Sequence, residues 1–293
     1  MPPPTLIGLG EVLWDLLPKG KQFGGAPANF AYHAKVLGTD AHVVSAVGDD
    51  ELGREILARL DRLGLGRELV AVDAGHCTGT VSVELDEHGK PDFTIHEDVA
   101  WDFIPEMPGL ADLAARASAV CFGSLAQRAE VSRATIRRFL DATGDDCLRL
   151  FDINLRQHFY DASVVGASLE HADVLKLNDD ELPVVAELLS LPADEEPFLD
   201  AVLREYELTL VALTKGPGGS VLRSGDRTSV VPGTRVEVAD TVGAGDSFAA
   251  AVAVGLLAGV DLDRINRRAS ELAAYVCTRP GATPEVPDRL LRF

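Results

Sequence analysis

Along most of the chain, short apolar runs end in a polar or glycine-bearing step and give way to stretches with apolar residues at helical spacing. Residues 41–48 read as a strand, and 50–63 as an amphipathic helix that stops at Gly64. Residues 118–123 predict a strand and 130–142 a helix; 148–153, 172–177 and 209–214 repeat the strand pattern with helical stretches between them. Strands that alternate with helices build βαβ units, and their near-continuous apolar character fits a parallel sheet covered on both faces. In such sheets ligands sit beyond the carboxyl ends of the strands. Those ends carry Asn154, Arg156, Asn178, Lys215 and Gly216.

Two segments break this rhythm. Residues 6–17 and 79–98 show strand-like alternation with no helix between, notably Val81, Val83 and Leu85, then Phe93 and Ile95, with Asp86-Glu87-His88-Gly89 as a hairpin turn. They read as a small antiparallel flap inserted into the larger domain, or as extra edge strands of the main sheet; the pattern alone leaves both open.

At 293 residues and 46% hydrophobic, the chain can bury the core of one large α/β domain with a minor appendage. No apolar run reaches the roughly 18 residues that a membrane span needs. The start, Met1-Pro2-Pro3-Pro4-Thr5, lacks the basic and then apolar regions of an export signal. Cys77, Cys121, Cys147 and Cys277 form no CxxC pair and read as buried free thiols of a cytoplasmic protein. Seven histidines fall in no HxH or HExxH pattern, which argues against a transition-metal site. A net charge of -19 disfavours nucleic acid and acidic membrane surfaces as partners. Most of that charge serves solubility, and Asp194-Glu195-Glu196 reads as a solvated face. A polyphosphate ligand would therefore need local devices: helix N-termini, a few basic side chains and Mg²⁺.

Such a device is written in Asp240-Thr241-Val242-Gly243-Ala244-Gly245-Asp246-Ser247-Phe248. Small residues precede a helix over 247–258 that is apolar all round and hence buried, with Gly259 as its stop. They leave the first backbone N–H groups unobstructed, which with the positive helix end makes an anion site. Asp246 either caps that helix or serves as general base for a hydroxyl attacking a γ-phosphate. No GxxxxGK[ST] loop and no early GxGxxG loop occur, which sets aside a P-loop protein and a nicotinamide dehydrogenase. Near the other end, Gly24-Gly25-Ala26-Pro27-Ala28-Asn29 enters a helix that ends at Gly38. The paired glycines allow close backbone approach to a ligand, and Asn29 offers a donor and an acceptor to hydroxyls; a plain loop-to-helix entry is the other reading.

Together the two motifs resemble the ribokinase-like (PfkB) family of carbohydrate kinases. The first family signature is met by Gly24, Gly25, Asn29, Gly38 and Gly48, the second by Asp240 through Asp246. Between them stand, in order, Gly10-Glu11 with Asp15 on the first strand, Phe151-Asp152-Ile153-Asn154-Leu155-Arg156, Asn178-Asp179-Asp180-Glu181, and Thr214-Lys215-Gly216-Pro217-Gly218-Gly219. The resemblance implies a three-layer α/β fold: a central, mostly parallel sheet flanked by helices, over residues 1–293 as one domain, with a β lid at about 10–22 and 78–104. It implies Asp246 as base and the amides of Gly243, Ala244 and Gly245 as the anion hole. Asp15, Gly24, Gly25 and Asn29 would hold sugar hydroxyls, and Arg156 would reach the sugar or the transferred phosphate, with a surface ion pair as its other reading. Asn178 and Glu181 would serve Mg²⁺ and phosphate, or form a capping box, or both. Thr214, Gly216 and Gly219 would line the ATP channel, with Lys215 a candidate phosphate contact. A K⁺ site is implied near Asp240, Val242 and the carbonyls around Gly281. Trp101 reads as packing, with a sugar or partner contact as the other reading.

The residues Gly24 to Asn29, Phe122-Gly123-Ser124-Leu125-Ala126, Glu11 and Asp15 look most like fructokinases. The implied reaction is ATP-dependent phosphorylation of D-fructose at its 6-hydroxyl, with ribose and 2-keto-3-deoxygluconate as alternatives, and a non-catalytic sugar-binding regulator as the reading from another class. An open flap edge implies a homodimer through paired lids.

Overall fold

The computed structural model describes residues 2–18, 20–85 and 91–292. The first half runs β1 (Thr5–Leu9), β2 (Leu13–Leu17), β3 (Gly20–Gly24), α1 (Ala26–Val36), β4 (Asp40–Gly48), α2 (Glu51–Leu63), β5 (Gly66–Asp73), β6 (Thr80–Leu85), β7 (Pro91–Ile95), α3 (Leu110–Arg116) and β8 (Ala119–Phe122). There follow α4 (Glu130–Asp141), β9 (Leu148–Asp152), α5 (Ala162–His171), β10 (Val174–Asn178), α6 (Glu181–Leu189), α7 (Glu195–Glu205), β11 (Leu210–Thr214), β12 (Ser220–Ser224), β13 (Arg227–Val231), α8 (Ala244–Leu257) and α9 (Leu262–Cys277).

Among the described residues, nine strands form one sheet in the order β13-β12-β11-β10-β9-β8-β1-β4-β5. Every pairing from β11 to β5 is parallel, and only β12 is reversed, pairing antiparallel with β11 on one side and β13 on the other. The two faces are read directly from alternation: on β11, Leu210 and Ala212 join a core with α1, α2, α8 and α9, whereas Val211 and Leu213 join a core with α3 to α7. Helix, sheet and helix thus make the three layers expected. Local chemistry sets the helix ends. Asp50 accepts from the Gly53 amide at 2.7 Å to start α2, and Gly64, left-handed at φ 69, stops it.

A second sheet, β3-β2-β6-β7, stands apart from the first. The expected flap is corrected in four respects. Residues 5–9 are a central strand of the main sheet, because Leu6, Ile7 and Leu9 are wholly buried between two helix layers. Asp15 consequently lies on β2 of the small sheet, not on the first strand. The small sheet is also not wholly antiparallel: β2 pairs β6 in parallel, since a separate excursion from the main sheet delivers each of them. The small sheet also closes at Ile95, short of the lid limit of 104: Trp101 and Ile104 are fully buried in the main core. The turn at 86–89 lies outside the described residues.

Arg128 lies over the Trp101 ring at 4.0 Å, so this tryptophan is packing. All four cysteines are free; Cys121 and Cys147 are buried as expected, but Cys77 is exposed. No helix among the described residues is long and apolar enough to cross a membrane.

Candidate active site

The carboxyl ends of β1, β9, β10 and β11 and the N-termini of α1 and α8 converge. Helix α8 begins one turn earlier than its apolar run, at Ala244. Gly243 is the N-cap, left-handed at φ 81, and a Cβ there would lie 2.6 Å from the Cα of Ala282. The helical ladder starts with the Ser247 N–H donating to the Gly243 carbonyl at 2.9 Å. The amides of Gly245 and Asp246 therefore precede the ladder, where a helix can bind an anion. The Ala244 amide is turned aside, donating to Thr241 at 3.3 Å.

Asp246 does not cap its helix. Its Oδ2 accepts a hydrogen bond from Asn29 Nδ2 at 2.8 Å, across 217 positions of sequence. This one bond ties the two glycine motifs into a single site. Asn29 is buried, and its Oδ1 has no partner among the described residues. Glu11, just past β1, is also buried; Oε1 accepts from the Ala26 amide at 3.3 Å and Oε2 has no partner among the described residues. Gly25 must be glycine, for at φ 109 a Cβ would lie 2.4 Å from the Glu11 carbonyl oxygen. Gly24 sits against Asp15, whose Oδ2 would be 2.7 Å from an added Cβ.

These carboxylates hold their protons tightly. Burial pushes Asp246 up to about 6, helped by the Asp152 charge and opposed by Lys176, the Asn29 bond and Arg156. Burial likewise lifts Glu11 to about 7 and Asp15 to about 6, with Arg156 opposing in both cases. Arg156 is exposed, its Nη1 donates to the Leu155 carbonyl at 3.1 Å, and its charge reaches all three acids.

Beyond β10, Asn178 and Glu181 form the reciprocal box. The Glu181 amide donates to Asn178 Oδ1 at 2.8 Å, and the Asn178 amide to Glu181 Oε2 at 2.8 Å. Glu181 Oε1 also accepts from the Leu155 amide at 2.9 Å, joining the loops after β9 and β10. Each oxygen keeps a second lone pair, so this carboxylate fits a Mg²⁺ held through water, a habit of that ion. Among the described residues no group of three or more His, Cys, Asp or Glu could hold a metal directly. Asp240 accepts from the Val242 amide through Oδ1 and from the Gly281 amide through Oδ2, each at 3.1 Å. The three residues named for K⁺ are thus together, joined by two backbone N–H groups donated to one carboxylate.

Thr214 ends β11, and Gly216 and Gly219, at φ 47 and 98, bracket a tight turn. Lys215 is drawn elsewhere: its Nζ donates to Glu195 at 3.0 and 3.2 Å, which also gives Glu195 a partner. A separate cavity of about 300 Å³, walled by the Asp102–Arg128 pair, His158 and Tyr160, shares none of these side chains.

The profile of pfkB family carbohydrate kinases matches residues 19–289. The chain belongs to the pfkB family of carbohydrate kinases. A fructokinase of Klebsiella pneumoniae is 30% identical over 300 residues, covering 95% of each chain. Among solved structures, an uncharacterized sugar kinase from Pyrococcus horikoshii in complex with ATP superposes with TM-score 0.79 at 28% identity, over 95% of this chain and 93% of that one. A fructokinase from Vibrio cholerae, bound to fructose, ADP and calcium, gives TM-score 0.80 at 25% identity, over 98% and 97%.

Three groups of this pfkB kinase lay outside the predicted site. The first two are Asp152 and Lys176, a buried ion pair at 2.9 Å beside Asp246. The lysine had a visible signal, a cation inside the apolar run Val174-Leu175-Lys176-Leu177. The third is His33. Facing a carbonyl, its Nε2 donates to Ala282 at 2.9 Å, and burial lowers the ring to about 4, so it stays neutral. With Tyr32, which donates to the Pro284 carbonyl at 2.6 Å, it pins α1 to the loop that abuts Gly243.

Proposed function

We propose that this carbohydrate kinase is an ATP-dependent fructokinase, forming fructose 6-phosphate. The Asn29–Asp246 bond carries the reading, because it sets a hydroxyl-binding residue against a base at the mouth of an anion hole. Asp15, Gly24, Gly25 and Asn29 hold the sugar, and Asp246 orients its hydroxyl. As the hydroxyl oxygen bonds to the γ-phosphorus, the bond from that phosphorus to the β,γ-bridging oxygen breaks. The hydroxyl proton passes to Asp246 and ADP leaves. The first-turn amides of α8, with Arg156, meet the charge on the transferred phosphoryl group. Thr214, Gly216 and Gly219 line the nucleotide channel. Asn178 and Glu181 would hold Mg²⁺, which would neutralise phosphate charge, and Asp240, Val242 and Gly281 would hold K⁺, which would steady the loop beside the hole. The small sheet acts as a lid that excludes water, and its edges β3 and β7 pair with a second copy. The K. pneumoniae and V. cholerae relatives favour fructose as the sugar.

A coupled ADP-release assay with D-fructose, ribose, 2-keto-3-deoxygluconate and nucleosides tests the reading. Fructose is expected to exceed every other acceptor in kcat/KM by at least about tenfold, the scale that one or two hydroxyl contacts supply. Turnover of a nucleoside or sugar phosphate alone would overturn it.

A base must be ionised to accept a proton, so activity is present above the Asp246 titration and lost below it. With that titration at about 6, kcat/KM for the sugar should fall roughly tenfold per pH unit below that point. A rate that stays flat down to pH ~5, as an ordinary exposed aspartate would give, contradicts the assignment.

A further inference from the structure

We infer that buried Lys176, held in place by Asp152, is a positioning residue for phosphoryl transfer, seating the first turn of α8 and favouring the ionised form of Asp246. The inference rests on the reading of Asp246 as the base. Lys176 and Asp152 face each other in register on β10 and β9. The Lys176 Nζ donates to both Asp152 oxygens, at 2.9 and 3.2 Å, and the two side chains are only 7% and 4% exposed. Alternation along β10 turns Lys176 to the face of Val174, the face that α8 covers.

The ammonium lies directly under the helix turn: a Cβ on Gly245 would be 2.8 Å from Nζ and 3.6 Å from Cε. Gly245 is thus glycine because Lys176 fills the space where its side chain would stand. An apolar pair of equal volume would fill it as well, and replacing a buried ion pair that way is often neutral or stabilising. Packing alone does not account for charges at this position.

Their use lies in what they face. Asp246 is approached by Asn29 from α1, Glu11 from the segment after β1, Asp152 from β9, Lys176 from β10 and Arg156 from the loop after β9. The neutral thiol of Cys121 on β8 lies among the same charges. Burial and the Asp152 charge drive Asp246 toward its protonated, inactive form. Lys176 is the buried cation that opposes both, and unlike exposed Arg156 its position is fixed by Asp152.

The test compares Asp152→Asn with the double variant Asp152→Asn/Lys176→Met. The double variant keeps a neutral pair of similar shape, and only the Lys176 charge separates the two proteins. In each, the Asp246 carboxyl carbon is titrated by NMR in sugar-free protein carrying ¹³C-labelled aspartate, its signal assigned by its loss in Asp246→Asn. Asp152→Asn should titrate below the wild type, and adding Lys176→Met should raise the midpoint again by about one pH unit, a tenfold change in proton affinity. The acid limb of kcat/KM should move with it. Coincident midpoints in the two variants would overturn the inference, even with the wild type an active kinase. If the midpoints separate but no sugar is phosphorylated by the wild type, the kinase reading of Asp246 fails and the charge coupling stands.

Discussion

Asp246→Asn is expected to lower kcat by roughly 10²- to 10⁴-fold, the range that a positioned general base contributes, while the sugar dissociation constant changes less than about threefold. The separation follows from the geometry. Asp246 makes its described side-chain bond as an acceptor from Asn29 at 2.8 Å. An asparagine can turn its amide oxygen to Asn29 and keep that bond, so the two helix N-termini stay joined. What the variant cannot do is take the hydroxyl proton. It also removes an anion from a crowd of acids, which relieves repulsion with Asp152 and Glu11, so stability should not fall. Turnover by coupled assay and sugar binding by calorimetry check the two halves. Turnover within tenfold of the wild type would sink the mechanism. If Asp246→Asn/Glu11→Gln then abolished that residue of activity, the proton acceptor would be Glu11.

Glu11 also shows how far the sequence could be read. The alternation of strands and helices predicted the layers because both faces of a parallel sheet are buried, and that leaves a periodic trace. The same logic misplaced residues 5–9. A short apolar run next to a half-exposed strand does not say which sheet it joins, and only the burial of Leu6, Ile7 and Leu9 decides it. The glycine motifs were legible because close approach leaves little choice of residue, as the 2.4 Å contact at Gly25 shows. The chemistry beneath them was not. Lys176, Asp152 and His33 act through contacts across strands and between α1 and a distant loop, and no local spacing encodes such a partner. Lys215 shows another contact that local spacing does not encode: its place after β11 suits a phosphate contact, and here its ammonium pairs with Glu195, twenty residues earlier.

Gly243→Ala is expected to cut kcat by about 10²- to 10³-fold, comparable to losing one donor of an oxyanion hole, and to raise the KM for ATP. Two effects combine at this residue. A left-handed backbone costs a non-glycine residue roughly 1–2 kcal/mol, and Gly243 sits at φ 81. The new Cβ also meets Ala282 Cα at 2.6 Å and its carbonyl oxygen at 2.7 Å. Backbone atoms cannot swing aside as a flexible side chain would. The loop carrying Ala282 is pinned to α1 by His33 and Tyr32 and offers the Gly281 amide to Asp240, so the first turn of α8 must move instead. That turn holds the amides proposed to face phosphate. Gly109→Ala separates the two effects, because Gly109 is likewise a helix N-cap in the left-handed region, at φ 88, with nothing within 4 Å of an added Cβ. Both variants should lose stability in thermal unfolding, but only Gly243→Ala should lose turnover. Equal kcat values for the two would mean that the α8 turn does not depend on its contact with the Ala282 loop, and the anion hole would have to be sought elsewhere along the strand ends.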